Sequence, residues 1–244
     1  MSSRPVFLTA KWHNLFFANY VIQPTLVKNL VPRGTSLDNW NGRIFISLVA
    51  FQFLDTKILG VPAFSQRNFD EVNLRFYVNR TIEKVEKRGV VFIREIVPSR
   101  IIAWVANRLY GENYTARKMQ SKMTRINGQV DRLEYSIMNE GRWNMISSTV
   151  STQLDEFQDT DLAPFITEHY WGYSKRESNV TIEYEVEHPK WSVYQVENFN
   201  LDLDFESLYG PEYAFLSDNV PESIFYCPGS EVKVRLGSRV VSDV

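Results

Sequence analysis

The sequence predicts a β-dominated α+β domain, and three observations carry that expectation. Several segments alternate apolar and polar residues with the period of two that marks a strand. Only short stretches keep a helical period. No Pro/Gly-rich linker, repeat or low-complexity tract divides the 244 residues, so a single domain is expected over 1–244. Hydrophobic content of 44%, with 14% aromatic, is ample for a packed core.

In chain order, a short helix is expected over Thr25 to Leu30, started by Pro24 and stopped before Pro32. Arg43 to Phe53, largely β-branched and aromatic, reads as strand. Asn68 to Val78 sets Val72, Leu74, Phe76 and Val78 on one face, with Glu71, Asn73, Arg75 and Tyr77 on the other. Gly89 to Val97 is a further apolar run. Ser99 is placed to cap a helix through Leu109, with Ile101, Ile102, Val105, Ala106 and Leu109 as its apolar stripe and Gly111 ending it. Within Arg125 to Met138, Asn127-Gly128 suits a two-residue hairpin turn, because both residues tolerate positive φ. Arg142 to Thr152 reads as strand, and a third helix is expected over Leu162 to Glu168, after the acidic turn Asp155 to Asp161. Val180, Ile182, Tyr184 and Val186 alternate with Thr181, Glu183, Glu185 and Glu187, and Glu231 to Leu236 closes the series.

Bulk properties narrow the class. No apolar run approaches the ~18–20 residues that span a bilayer. The start Met1-Ser2-Ser3-Arg4-Pro5 has no signal core, so a cytoplasmic protein without membrane attachment is expected. The single cysteine, Cys227, leaves no internal disulfide and reads as a small buried side chain rather than a nucleophile. Net charge is −2, but residues 1–122 carry 18 Lys+Arg against 8 Asp+Glu, and residues 123–244 carry 9 against 21. No basic run exceeds two residues, which argues against nucleic acid. Two halves interleaved in one fold, or a basic lining for an anionic ligand, explain the asymmetry better. Head-to-tail assembly into a homo-oligomer is a further reading.

The polar face Glu71, Asn73, Arg75 and Tyr77 must meet either water or a polar cavity. In water, a Glu71–Arg75 pair would be worth about 0–1 kcal/mol; in a cavity, the same groups would bind a ligand. His13, His169 and His188 stand far apart, outside any HExxH or CxxC arrangement, so no metal is expected. Nucleophile elbow, phosphate loop and dinucleotide fingerprint are absent, and no cofactor is expected. The stretch from Arg108 to Lys118 leaves a helix through Gly111 and carries Arg108, Tyr110, Tyr114, Arg117 and Lys118, a set suited to a carboxylate ligand.

The order of these segments resembles the acetoacetate-decarboxylase-like superfamily, and within it an uncharacterised bacterial YqjF-like branch. The similarity runs through Trp12 with Leu15-Phe16-Phe17, Gln23-Pro24, Leu30-Val31-Pro32, and Leu37-Asp38 leading to Gly42 and Phe51. It continues through Phe69 to Val78, Arg108 with Tyr110, Asn113-Tyr114-Thr115-Ala116, Phe165 to Tyr170, and Tyr226 to Leu236. The resemblance implies a cone-like antiparallel β-barrel with a central pocket and a few short helices. In the decarboxylases a lysine pair follows a Gly-aromatic-Pro turn, and one lysine forms a Schiff base with a β-keto acid. Here the matching turn reads Gly111-Glu112-Asn113-Tyr114-Thr115, without the pair. Glu71 matches the assisting glutamate, and Lys118 lies three or four residues beyond the lysine positions.

The expected function is therefore a small-molecule pocket that takes an organic acid without Schiff-base chemistry. Arg75, Asn73, Tyr77, Arg108 and Lys118 are its candidate ligand contacts. The alternative is a lyase or hydratase on a keto or hydroxy acid, with Glu71 and Tyr114 as acid/base groups. A non-catalytic scaffold, its interior filled by its own side chains, is the third reading.

Overall fold

The computed structural model describes residues 4–63, 66–154, 158, 161–177 and 180–240. The strands are β1 (Val6–Ile22), β2 (Ser36–Leu37), β3 (Ile44–Ile58), β4 (Val61–Pro62), β5 (Phe69–Ile82), β6 (Val85–Val97), β7 (Tyr114–Ala116), β8 (Lys118–Ile126), β9 (Gln129–Asn139) and β10 (Arg142–Leu154). They continue with β11 (Trp171–Glu177), β12 (Val180–Glu187), β13 (Tyr194–Asp202), β14 (Ser223–Arg235) and β15 (Ser238–Val240). Among the described residues three α-helices punctuate them: α1 (Arg100–Tyr110), α2 (Leu162–Thr167) and α3 (Phe205–Tyr209). Most of the acidic turn expected over Asp155 to Asp161 lies outside the described residues.

All fifteen strands of the described residues join one sheet. Seven of them close a ring in the order β12-β11-β6-β5-β3-β1-β14, with β14 pairing back to β12 through Val186↔Val234 and Glu187↔Lys233. From β14 the sheet runs on through β13, β10, β9 and β8. Pairing is antiparallel except where β6 meets β7 and β11, which run parallel to it. The two charge-biased halves interleave: β1, β3, β5 and β6 come from the basic half, β11, β12 and β14 from the acidic half. Glu183 on β12 bridges them, accepting from Arg80 at 3.0 Å and Lys87 at 2.7 Å.

Because the ring has an inside and an outside, its strands bury both faces. On the outer face Phe16, Ile46, Leu74, Phe76 and Val78 pack with Leu133, Tyr135 and Ile137 of β9 and with α3. On the inner face Leu15, Phe17, Val49, Phe51 and Tyr77 pack with α2. This explains why β1, the longest strand, has no clean alternation in sequence: it buries both faces and breaks register at Asn14, whose φ is +55°. The Asn127-Gly128 turn joins β8 to β9 with both residues at positive φ (+51° and +85°), as its residues predict. Ser99 Oγ caps α1, accepting from the amides of Ile101 and Ile102, and Gly111 ends it at φ +69°. The helix expected over Thr25 to Leu30 is instead two 3-10 turns, Pro24–Leu26 and Lys28–Leu30. Among the described residues, no helix is long and apolar enough to cross a membrane.

Candidate functional site

Inside the ring lies a cavity of about 340 Å³, within the range of small-molecule sites. Its walls are mostly aromatic and aliphatic, from Trp12, Phe51, Phe53 and Phe92 to Ile102 and Val105 of α1, which roofs it. The inward side of β5 supplies its polar wall, with Glu71, Asn73 and Arg75 in alternation. Glu71 is 2% exposed and Asn73 1%, so this face meets a cavity and not bulk water. A single line of register crosses the wall: Val49 pairs Asn73, Asn73 pairs Glu95, and Glu95 pairs Tyr114. Residues in register share a face, so Asn73, Glu95 and Tyr114 stand side by side.

Hydrogen bonds tie these groups together. Asn73 Nδ2 donates to Glu71 Oε1 at 3.0 Å, and Tyr114 Oη donates to Glu71 Oε2 at 3.2 Å. Glu112, in the turn after Gly111, accepts from Tyr184 Oη through Oε1 at 2.8 Å. Tyr184 can approach because its register partner on β11 is Gly172; a Cβ there would lie 2.1 Å from Tyr184 Cζ. Three carboxyl groups thus enter one largely apolar cavity, and burial shifts all three upward. Desolvation raises Glu71 to about 7, offset in part by Asn73, Tyr114 and Arg75. Glu112 rises to about 8 through desolvation, partly countered by Tyr184, with the Glu71 charge adding to the rise. Desolvation, with the charges of Glu112 and Glu71, carries Glu95 well above the ordinary carboxylate range.

Arg75 is half-buried at the other end of the same strand face. Its guanidinium lies 5.5 Å from the Phe17 ring and 5.6 Å from that of Tyr77, and its Nε has no hydrogen-bond partner. His169 also lines the cavity; its Nε2 meets Asp38 Oδ2 at 3.1 Å, and Arg88 donates to the same oxygen at 2.7 Å. Desolvation lowers His169 to about 4, so the ring is neutral at pH 7. Beyond it His188 stacks on Trp191 at 4.1 Å.

Of the residues expected to form the site, the fold gathers Glu71, Asn73, Arg75 and Tyr114 on the cavity wall. Tyr77 points inward as the alternation requires, but it lies outside the cavity wall. It packs against Phe165 and His169 and donates to Ser47 Oγ at 2.6 Å, because α2 fills the ring at that level. Arg108 is exposed on α1, where its carbonyl accepts from Arg176. Lys118 is exposed too, 5.6 Å over the Trp143 ring. The chain leaves β6 after Ala116 and pairs with β9 from Lys118 onward, which carries that lysine away from the ring. No lysine lines the cavity among the described residues.

Glu95, Glu112 and Tyr184 are wall residues that the sequence reading passed over. Glu95 had a signal, as a carboxylate inside the apolar run Gly89 to Val97. Glu112 and Tyr184 had none, since their meeting depends on Gly172 of a neighbouring strand.

Residues 9–231 match the model of the family DUF2071, described as an uncharacterized conserved protein. The uncharacterized protein YqjF of Bacillus subtilis strain 168 is 24% identical over 191 residues, which are 76% of this chain and 74% of that protein. An acetoacetate decarboxylase-like enzyme from Sphingomonas wittichii RW1 superposes with a TM-score of 0.66 at 12% identity, over 97% of this chain and 94% of that one. Acetoacetate decarboxylase from Legionella pneumophila gives 0.66 at 10% identity, over 99% and 90%. The enduracididine biosynthesis enzyme MppR, complexed with pyruvate, gives 0.64 at 11% identity, over 98% and 91%. At these identities the likeness is one of fold, and the fold is that of the acetoacetate decarboxylases.

Proposed function

We propose that this chain, which belongs to the DUF2071 family of uncharacterized conserved proteins, binds a small organic molecule inside its strand ring, without the lysine Schiff base of the decarboxylases. The observation that carries the reading is a cavity of about 340 Å³ whose described wall has Glu71, Asn73, Arg75 and Tyr114 but no lysine. Schiff-base chemistry needs an amine within about 3 Å of the carbonyl carbon, and Lys118 sits on a strand outside the ring. The open cavity also speaks against a scaffold filled by its own side chains. An organic acid would set its carboxylate against Arg75, the one arginine on the described wall. Two measurements test this. Incubation with 2- and 3-oxo acids followed by borohydride leaves the intact mass unchanged, while a decarboxylase control is labelled; an adduct on any lysine would refute the reading. A carboxylic acid panel raises Tm, and Arg75→Ala abolishes the shift.

The Glu71–Tyr114 contact supports a second, catalytic reading. A carboxyl raised to about 7, accepting from a phenol at 3.2 Å, is poised to exchange a proton near neutrality. In a lyase or hydratase acting on a keto or hydroxy acid, Glu71 would move the proton and Tyr114 would stabilise developing negative charge on oxygen. Turnover of such acids, lost in both Glu71→Gln and Tyr114→Phe, is the expected outcome; turnover that survives both changes removes the assignment.

A further inference from the structure

From the hydrogen-bond accounting around Glu71, Glu95 and Glu112, we infer that this end of the cavity is a subsite for a protonated primary amine, so that the ligand bears an ammonium group on an apolar body. This rests on the small-molecule reading and adds the chemistry of the ligand's head group.

The three carboxyls alone would not make a site. The independent observation is Asn73. It is 1% exposed, its Nδ2 is committed to Glu71, and its carbonyl Oδ1 accepts from nothing. Across the register from it, Glu95 is equally buried, and its Oε2 also has no donor. A buried acceptor left without a donor is costly, so once the carboxyls ionise these two oxygens call for a ligand that donates. Nearby hydroxyls offer one proton each: Tyr114, within reach of both Glu71 and Glu95, donates to Glu71, and Tyr184 donates to Glu112.

An ammonium brings three N–H donors and a positive charge. Two donors match Asn73 Oδ1 and Glu95 Oε2, and the charge is balanced by whichever carboxyl gives up its proton. A carboxylate head at this end would meet like charge as soon as any of the three carboxyls ionised, whereas an ammonium is favoured by that same ionisation. A bare metal ion fits no better, since among the described residues no cluster of three His, Cys, Asp or Glu is placed to hold one. Trp12 and Phe51, with ring centroids 5.2 Å apart on the same wall, suit the apolar body and attract a cation through their ring faces. Arg75 stands four residues from Glu71, ~13 Å along the strand, so it leaves the amine end free and can hold an acidic group at the other.

Proton linkage makes the inference testable. The other charged or titratable groups that act on this end are Arg75, whose charge reaches Glu71 from the far end of the β5 face, Tyr114 on β7, Tyr110 on α1 beside Tyr184, and Tyr209 on α3, which feels the Glu71 charge. The four tyrosines of this end, Tyr110, Tyr114, Tyr184 and Tyr209, are raised by burial and stay neutral, so Glu71 and Glu112 are the groups that titrate near pH 7 to 8. Phenethylamine, 3-phenylpropionate and 2-phenylethanol are three probes of one shape with different heads. Calorimetric titration of the full chain with each, at pH 6 and pH 8, is the experiment. Phenethylamine is expected to bind, about tenfold more tightly at pH 8 than at pH 6, as a carboxyl near 7 ionises while the amine stays charged. Glu95→Gln and Glu112→Gln, both near-isosteric, are expected to weaken it at least tenfold without unfolding the chain. Binding of phenylpropionate but not the amine overturns the inference and leaves the pocket reading standing. Amine affinity equal at the two pH values, or unchanged in both variants, also overturns it. Failure of all three probes overturns the inference and the pocket reading together.

Discussion

Glu71 shows how a single side chain takes its chemistry from its surroundings. As one of the polar set in Asn68 to Val78 it is ordinary, but at 2% exposure among aromatic rings its proton is held to about pH 7. A carboxyl raised in the folded state stabilises the fold fully below its unfolded value near 4.5, and that contribution is lost as pH rises through the folded value. Desolvation drives Glu71, Glu95 and Glu112 in the same direction, so stability is expected to fall between pH 5 and pH 9, by on the order of 3 kcal/mol each from Glu71 and Glu112. Urea denaturation at those two pH values measures it. Glu95→Gln should flatten the profile and raise Tm at pH 9, since it removes a buried charge while keeping the side chain's shape. A profile that rises with pH would mean the carboxyls are not enclosed as described. Cys227 is a contrasting case, with 0% exposure and a thiol pushed up by burial, the mark of an inert packing residue.

At the scale of elements, two junctions hold the site together. Gly172 on β11 makes room for Tyr184 on β12, whose hydroxyl holds Glu112. Gly172→Ala would force a Cβ to within 2.1 Å of the ring, so a loss of about 1–3 kcal/mol is expected in urea denaturation. The same change displaces Tyr184 from Glu112, so amine binding should weaken even where the fold survives. The second junction is the α1 roof. Ile102, Val105 and Ala106 face the cavity, Ile101 lines it while staying largely exposed, and Trp104 and Leu109 are exposed, so the helix is anchored by few buried residues. Its Ser99 cap then matters more than usual. Ser99→Ala should cost ~1 kcal/mol and speed ligand exchange, read as a faster off-rate at nearly unchanged on-rate.

For the whole molecule, the ring is the organising fact. It closes only when β12, from the acidic half, meets β14 and β11, and β11 meets β6 from the basic half. The Glu183 bridge to Arg80 and Lys87 sits on that seam, with the carboxylate largely buried. Glu183→Ala is expected to destabilise by about 2 kcal/mol, since it strands two partly buried cations. Removing the exposed Lys11–Asp55 pair should cost under about 1 kcal/mol. Thermal melts of the two variants side by side make the comparison, and equal losses would show that the seam contributes nothing special.

Local rules were enough for much of this architecture. Periodicity in Asn68 to Val78, the Asn127-Gly128 turn, the Ser99 cap and the Gly111 stop each depend on a few neighbouring residues, and each is found where the sequence puts it. Face assignment is local as well, so Glu71, Asn73 and Arg75 could be grouped before any fold was known. What lies opposite a face is not local. The same alternation serves a strand facing water and a strand lining a ring, and only closure of the sheet distinguishes them. Closure set Glu71 and Asn73 against a cavity, put Tyr77 beneath α2, and left Arg108 and Lys118 on the outside. It also brought in Glu95, Glu112 and Tyr184 from segments 24 to 113 residues away from Glu71 in the chain. Hydrophobic patterning specifies which side of a strand is buried, whereas desolvation and hydrogen-bond pairing, which set the chemistry, depend on every strand that completes the enclosure.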